Sequence, residues 1–112
     1  MSDCLFCKII AGDIPSSKVY EDDLIYVFKD INPQAQVHLL VIPKIHIKSL
    51  DGLKPEHNKL IAHMMLKLPE LALSQGLTDG FRTIINTGVG GGQEVWHLHI
   101  HILGGDDLPG FN

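Results

Sequence analysis

Short apolar segments with alternating or continuous hydrophobic positions predict five β-strands in this chain. KVYEDDLIYVFKD (residues 18–30) predicts two strands around the polar turn EDD, and VHLLVIP (37–43) predicts a buried strand. Pro43 should end that strand because proline has no backbone N–H to donate to a ladder. FRTIIN (81–86) and EVWHLHIHIL (94–103) predict the last two strands, joined by the glycine-rich segment TGVGGGQ.

Two other segments have the pattern of helices. CLFCKIIAG (4–12) predicts a short helix that ends at Gly12, and KPEHNKLIAHMMLKLPELALSQG (54–76) predicts the main helix, with Pro55 in its first turn. Pro69 lies within this second pattern and removes a backbone donor, so we expect a kink there or a helix that breaks in two. The apolar stripe of the main helix comprises Leu60, Ile61, Met64, Leu68, Leu71 and Ala72.

This order of elements predicts an α+β fold: an antiparallel sheet of about five strands, one long helix and a short N-terminal helix. The length of 112 residues suits a single domain over residues 1–112. One long helix cannot cover both faces of such a sheet. We therefore expect two subunits to pair as a homodimer.

Composition and charge narrow the class of partner. Hydrophobic residues make up 45% of the chain and charged residues 20%, an ordinary globular balance. The net charge of −4, with only nine scattered lysines and arginines, argues against broad electrostatic binding of nucleic acid. No apolar run reaches the length of about 18 residues that a membrane span needs, and no secretion signal is recognisable. The predicted location is therefore cytoplasmic.

The segment WHLHIHIL (96–103) places His97, His99 and His101 at every second position. On a strand these three side chains share one face, while Leu98, Ile100 and Ile102 enter the core. A solvated polar face would be served equally well by lysine, threonine or glutamate. Two chemical interpretations remain open from the pattern: a catalytic metal site, and covalent catalysis by an imidazole that attacks phosphorus.

The surrounding segments favour phosphate chemistry. The glycines of NTGVGGGQEV, directly before the histidines, can turn backbone N–H groups onto phosphate oxygens. His38 opens the strand HLLVIP, and Asp30, at the end of YVFKD, could accept hydrogen bonds from sugar hydroxyls. Alone, each would more often be structural.

Several motifs together resemble the histidine triad (HIT) family, and specifically its Hint nucleotide-binding branch. They are WHLHIHILGG, FKDINPQAQVHLLVIPKIHI, IINTG and GGQEVWH, and the similarity extends from CKIIAGDIPSSKVYEDD to LGG. The resemblance implies a homodimeric α+β fold whose strands join across the subunit interface. It also implies hydrolysis of nucleoside 5′-phosphoramidates, usually of purine nucleotides, through a nucleotidyl-histidine intermediate.

The resemblance assigns roles to individual residues. His99 matches the nucleophile, His101 the group that contacts the phosphate and helps to protonate the leaving amine, and His38 the supporting histidine. The matched substrate-binding residues are Asp30 and Ile31 for the ribose, Asn86 near the scissile phosphate, and Gly92, Gln93 and Glu94 in the loop that lines the phosphate.

Cys4 and Cys7 form a C-x-x-C pair, and this pair favours binding of zinc by the two sulfurs over the alternatives. A thioredoxin-like redox role would need a βαβ context, and the sequence before Cys4 is too short for one; inert thiols are the other alternative. His46 and His97 are the available histidines to complete the set, and the resemblance to HIT relatives that bind zinc through these four types of ligand implies the same set here. A closed Cys2His2 set would be structural rather than catalytic.

The leading hypothesis is therefore a hydrolase of purine nucleoside 5′-phosphoramidates that binds AMP-like nucleotides. Three alternatives remain: a dinucleoside polyphosphate hydrolase of the same fold, a nucleotide-binding regulatory module with incidental hydrolysis, and a zinc hydrolase.

Overall fold

The computed structural model describes residues 3–110 and contains a five-stranded antiparallel sheet in the order β1-β2-β3-β5-β4. The predicted α+β class is confirmed. The strands are β1 (Lys18–Glu21), β2 (Ile25–Lys29), β3 (Val37–Pro43), β4 (Arg82–Ile84) and β5 (Ile100–Gly104). The helices are α1 (Leu5–Ala11) and α2 (Asn58–Ser74), with short 3-10 turns at Leu50–Gly52, Pro55–His57 and Val89–Gly91.

Both helices pack on the sheet, on opposite faces. Alternate residues of β2 and β3 point to the two faces, because successive side chains on a strand alternate. One face packs against the apolar stripe of α2, and the other packs against Phe6 and Ile9 of α1. The α2 side of the core includes Ile25, Val27, Leu39, Val41, Leu60, Met64, Leu68 and Leu71, together with Leu98, Ile100 and Ile102.

The ends of α1 follow from its sequence. Cys4 precedes the first turn, and its Sγ accepts the N–H of Cys7 at 3.3 Å. Gly12 ends the helix in the left-handed conformation, with φ of 84°, and its N–H bonds to the carbonyl of Ile9. The predicted end at Gly12 is confirmed, and glycine suits it because a Cβ would be strained there.

Of the two outcomes expected at Pro69, a kink or a break into two helices, the break does not occur. Helix α2 is continuous over 17 residues, with Pro69 inside it and a 3-10 turn from Pro55 before it. Leu68, Leu71 and Ala72, on either side of the proline, are at most 6% exposed. Their burial against the sheet outweighs the cost of about 3 kcal/mol for an interior proline.

The last strand begins later than predicted. Residues 94–99 were expected to continue the strand, but β5 starts at Ile100, which pairs with Val41 of β3. If the ladder continued two positions towards the N-terminus of β5, Leu98 would pair with Pro43, which has no N–H to donate. The carbonyl of Pro43 instead accepts a hydrogen bond from the ring of His97, and the N–H of Leu98 turns to the carbonyl of Ile47 at 2.7 Å.

Within residues 3–110, neither helix combines the length and hydropathy that spanning a bilayer requires.

Candidate functional site

A cleft of about 370 Å³ lies on the α1 side of the sheet. Its walls come from α1, the loop after β2, strand β5 and the loop before it. Among the residues with an expected role, Asp30, Ile31, Asn86, Gly92, Glu94, His99 and His101 line it. The apolar lining includes Leu5, Phe6, Ile9, Ile14, Pro15, Phe28, Leu40 and Val95.

His99 lies at the bottom of this cleft and is 7% exposed. Its Nδ1 is 2.8 Å from the carbonyl oxygen of His97. Because a carbonyl only accepts, Nδ1 must carry the proton, and the neutral ring keeps a free lone pair on Nε2. That nitrogen has the electronic form of a nucleophile.

A relay of hydrogen bonds fixes the opposite tautomer in His101. The backbone N–H of Gln34 donates to Nδ1 of His38 at 3.0 Å, so the neutral ring of His38 carries its proton on Nε2. That Nε2 lies 2.9 Å from Nδ1 of His101 and donates to it. His101 therefore carries its own proton on Nε2. The rings of His99 and His101 are 5.1 Å apart between centroids, so an acceptor and a donor imidazole lie side by side.

Burial keeps both rings of the relay neutral near pH 7. It lowers the pKa of His38. The negative charge of Asp30, whose carboxylate oxygen lies 3.4 Å from Nε2 of His38, raises this pKa and partly offsets the effect of burial. Burial, followed by the neighbouring rings of His99 and His38, lowers the pKa of His101 to about 4. A neutral His101 donates one proton, from Nε2, until an anion in the cleft raises its affinity for a second.

Asp30 and Ile31 form the rim of the cleft next to this relay. Asp30 Oδ1 accepts the N–H of Asn32 at 2.9 Å, which closes a tight turn after β2. The same carboxylate lines the cleft and retains acceptor capacity. Ile31 lines it as well and is 87% exposed, a large apolar side chain presented to a ligand or to solvent.

The glycine-rich loop separates into residues that face the cleft and one that organises the loop. Gly92 and Glu94 line the cleft, and Asn86 spans the loop by donating from Nδ2 to the carbonyl of Gly91 at 2.8 Å. Gln93, expected in the phosphate-lining loop, is 6% exposed and is not among the cleft-lining residues. Its Oε1 accepts the N–H of Gly88, and its Nε2 donates to the carbonyls of Lys48 and Val95.

The structure brings Cys4, Cys7, His46 and His97 together, with their ligand atoms all within 4.8 Å of one another. The two Nδ1 atoms are 3.2 Å apart, and three of the four sulfur-to-nitrogen separations are 3.3, 3.4 and 3.6 Å. A tetrahedron with Zn–N of about 2.0 Å and Zn–S of about 2.3 Å has edges of about 3.3 and 3.5 Å. The cluster therefore has the size of a tetrahedral metal site, and it can hold a metal ion.

The orientation of His97 fits the same purpose. The ring is fully buried, and its Nε2 donates to the carbonyl of Pro43 at 2.9 Å, which leaves the lone pair of Nδ1 facing the two sulfurs and His46. Such an outer hydrogen bond is typical of histidine ligands in metal sites. Burial lowers the pKa of His97 and raises that of the Cys7 thiol, which its contact with Cys4 raises further. A bound cation would use the neutral imidazoles directly and would stabilise the cysteines as thiolates, so its binding would release the thiol protons.

The sequence missed the apolar half of the cleft, above all Phe6. Its ring stands edge-on to His99 with a centroid separation of 5.2 Å, and it also contacts His97. The available signal was its position in the short helix, one turn from Ile9 on the buried face. His57 and His63 are not among the residues that line the cleft: His57 accepts the N–H of Lys54, and His63 pairs with Asp22 at 2.7 Å, on the α2 side of the sheet.

Comparison with known proteins agrees with this geometry. The family profile described as "Scavenger mRNA decapping enzyme C-term binding" matches residues 3–111. Protein HitA of Neisseria gonorrhoeae is 62% identical over 104 residues, which cover 93% of this chain and 97% of that protein. The purine nucleoside phosphoramidase of Escherichia coli K12 is 45% identical over 105 residues, covering 93% and 88%.

Solved structures show the same architecture. A histidine triad protein from Clostridium difficile superposes with a TM-score of 0.94 at 46% identity, covering 100% of this chain and 98% of that one. A HIT family hydrolase from Legionella pneumophila gives 0.92 at 44% identity, with 96% of each chain covered. The chain belongs to the histidine triad (HIT) family of hydrolases.

Proposed function

We propose that this protein hydrolyses purine nucleoside 5′-phosphoramidates through a nucleotidyl intermediate on His99. The observation that carries the proposal is the pair of tautomers in the cleft. His99 has an unprotonated Nε2, and the adjacent His101 has a protonated one. Nucleophile and proton donor are the two groups that cleavage of a P–N bond requires.

In the first step, Nε2 of His99 attacks the α-phosphorus and forms a P–N bond. The bond from phosphorus to the leaving nitrogen breaks, and the leaving amine takes the proton from Nε2 of His101. The ring and its partner His38 hold one extra proton while the substrate anion is bound, so that His101 is left neutral after the transfer. In the second step, a water oxygen attacks phosphorus, the His99–phosphorus bond breaks, and the proton of the water returns to Nε2 of His101. The products are a free amine and a nucleoside monophosphate.

The cleft lining supports a nucleotide as the substrate. The carboxylate of Asp30 is a suitable acceptor for ribose hydroxyls, and Ile31 with the apolar wall of α1 offers a surface for the base. Asn86, Gly92 and Glu94 line the same cleft as the two histidines, and in this proposal they face the phosphate. In this proposal Gln93 acts through the loop that it holds. The 45% identical E. coli protein, named a purine nucleoside phosphoramidase, supports this substrate class.

We propose that the ion in the Cys4, Cys7, His46 and His97 cluster is zinc and that it is structural. Two thiolates and two imidazoles are a donor set that zinc prefers, and four protein ligands leave no position for a reacting water. When bound, the ion would cross-link the N-terminal segment to the segments around His46 and His97. We therefore expect that the ion does not activate the attacking water, as it would in a zinc hydrolase.

The homodimer and the cytoplasmic location are further parts of the proposal. Strand β4 is an edge of the sheet, and Phe81 and Ile84 beside or within it are 39% and 36% exposed, which suits pairing with a second copy. Light scattering of the purified protein should give twice the monomer mass; a monomer at micromolar concentration would contradict the pairing.

The cysteine pair, present as thiols beside two histidines, favours a reducing compartment and so a cytoplasmic location.

The direct test measures turnover of adenosine 5′-phosphoramidate beside a diadenosine polyphosphate. We expect much faster hydrolysis of the phosphoramidate, and loss of at least about 1,000-fold in His99→Ala, which should still bind AMP. A preference for the polyphosphate would favour the alternative hydrolase, and AMP binding without turnover would favour a regulatory module. His57→Ala, outside the cleft, is the matched control and should retain activity.

A further inference from the structure

The metal cluster and the nucleotide cleft are adjacent and share supporting segments. Three separate contacts join residues of the Cys4, Cys7, His46 and His97 cluster to three walls of the cleft. Because of these contacts, an ion bound in the cluster would affect how the cleft binds the nucleotide of the proposed function.

The first contact runs through α1. Phe6 lies between the two cysteines in the chain, lines the cleft, and stands 5.2 Å from His99 and 5.9 Å from His97 between ring centroids. Helix α1 has seven residues and only two buried side chains, Phe6 and Ile9. A helix this short is not stable on its own. Its position therefore depends on this small apolar contact and on whatever holds Cys4 and Cys7.

The second contact is covalent and hydrogen-bonded. His97 supplies a ligand atom to the cluster, and its carbonyl accepts the proton of His99 Nδ1 at 2.8 Å. That hydrogen bond keeps the Nε2 lone pair of His99 available. A shift of the His97 backbone would change both the cluster and the tautomer of the proposed nucleophile.

The third contact reaches the glycine-rich loop. Lys48 lies two residues after His46, and its carbonyl accepts a hydrogen bond from Nε2 of Gln93 at 2.9 Å. The Oε1 of Gln93 in turn accepts a hydrogen bond from the N–H of Gly88 in the loop. The intervening Ile47 accepts the N–H of Leu98 at 2.7 Å. The His46 segment is thereby tied to the loop at the phosphate end of the cleft.

We infer that occupancy of the Cys4, Cys7, His46 and His97 cluster by zinc is coupled to nucleotide binding in the cleft. The ion orders α1, the His97 carbonyl and the Gln93-held loop together, so the nucleotide no longer has to order them on binding. By linkage, the nucleotide strengthens zinc binding by the same factor. In this role Phe6 is a positioning residue that transmits part of the coupling.

The test titrates AMP into zinc-loaded and zinc-stripped protein and measures the dissociation constant by calorimetry. We expect stripping to weaken AMP binding at least about fivefold, the lower end of typical coupling. Reciprocally, AMP should raise zinc affinity by the same factor, measured by competition with a chromophoric chelator. Amide hydrogen exchange in α1 should slow when zinc is present. Equal AMP affinity in both forms would overturn the inference, as would a protein that binds no zinc.

Three variants separate coupling from a general effect on stability. Cys7→Ser, which does not line the cleft, should show the weak AMP affinity of the stripped form whether or not zinc is added. His63→Ala breaks the ion pair with Asp22 on the α2 side and should leave the coupling factor unchanged. If the stripped protein unfolds, Phe6→Leu decides: the inference predicts a smaller mutual effect of AMP and zinc, and an unchanged one would overturn it.

This inference rests on the proposed function, but the two fail differently. Absence of AMP binding by the zinc-loaded protein would refute the proposed nucleotide site. AMP binding that ignores zinc would refute only the coupling.

Discussion

At the scale of single residues, the chemistry of the cleft depends on which nitrogen of each ring carries the proton. The backbone N–H of Gln34 sets the tautomer of His38, and His38 sets that of His101. The carbonyl of His97 sets that of His99 in the opposite sense. Two backbone groups thus fix the free lone pair on His99 and the N–H on His101 that the proposed mechanism requires of its nucleophile and its proton donor.

His38→Ala should therefore lower kcat while changing KM little, because it frees the His101 ring to rotate or to exchange tautomers. We expect a loss of about 10- to 100-fold, typical when a supporting hydrogen bond is removed. His38→Gln keeps an N–H donor on a side chain of similar reach and should recover part of the activity. Steady-state kinetics with adenosine 5′-phosphoramidate provide the measurement. Equal losses in both variants would argue that His38 acts only by filling space.

At the scale of elements, the sequence predicted all five strands and both helices because their apolar patterns are regular. Leu98, Ile100 and Ile102 are buried as expected, at 2%, 3% and 0% exposure. What it missed depends on contacts between distant segments. The late start of β5 follows from Pro43 on the neighbouring strand, and the inward position of Gln93 follows from the carbonyl of Lys48, 45 residues away. Neither partner is visible in the local pattern.

Pro69 provides a prediction at the same scale. It lies on the exposed side of α2, so Pro69→Ala restores a helical hydrogen bond to the carbonyl of Met65 without leaving a cavity. This gain is partly offset because alanine gives the unfolded chain more conformational entropy than proline does. We therefore expect the free energy of unfolding to rise by about 2 kcal/mol. Urea unfolding measures it, with Lys59→Ala as an exposed control that should change stability by less than about 0.5 kcal/mol. No gain in the Pro69 variant would mean that the helix is already relaxed around the proline.

At the scale of the whole molecule, the two faces of one sheet have different tasks. The α2 face carries the larger apolar core, and the α1 face carries the cleft and the cluster of Cys4, Cys7, His46 and His97. The histidine pattern alone placed three imidazoles near one another. The division between them, with His97 in the cluster and His99 and His101 in the cleft, was implied by family resemblance, and the structure places the side chains in those two groups. The residue pattern by itself left metal and covalent chemistry open, because tautomers depend on backbone partners that the pattern does not contain.

Burial of uncharged histidines should make the whole fold sensitive to acid. The pKa of His101 falls from an ordinary 6.5 to about 4, and the pKa of His38 is also lowered. Below pH 6.5 the unfolded chain takes up protons that the folded protein resists, so stability is complete above that pH and is lost as pH falls towards 4.

For metal-free protein we expect His101 to account for about 2 kcal/mol of the stability lost between pH 7 and pH 5. Urea unfolding at several pH values measures it, and His101→Gln should show a shallower dependence. A variant with the same slope as the wild type would show that His101 is not buried as a neutral ring.

The central claim is that His99 bonds directly to phosphorus, and trapping of the adduct tests it most directly. The protein is mixed with adenosine 5′-phosphoramidate, quenched at alkaline pH within the first turnover, digested and mapped by mass spectrometry. We predict an adenylyl group on the peptide that contains His99, localised to that residue and absent in His99→Ala. Turnover without any adduct at His99, or an adduct on His101 instead, would contradict the account.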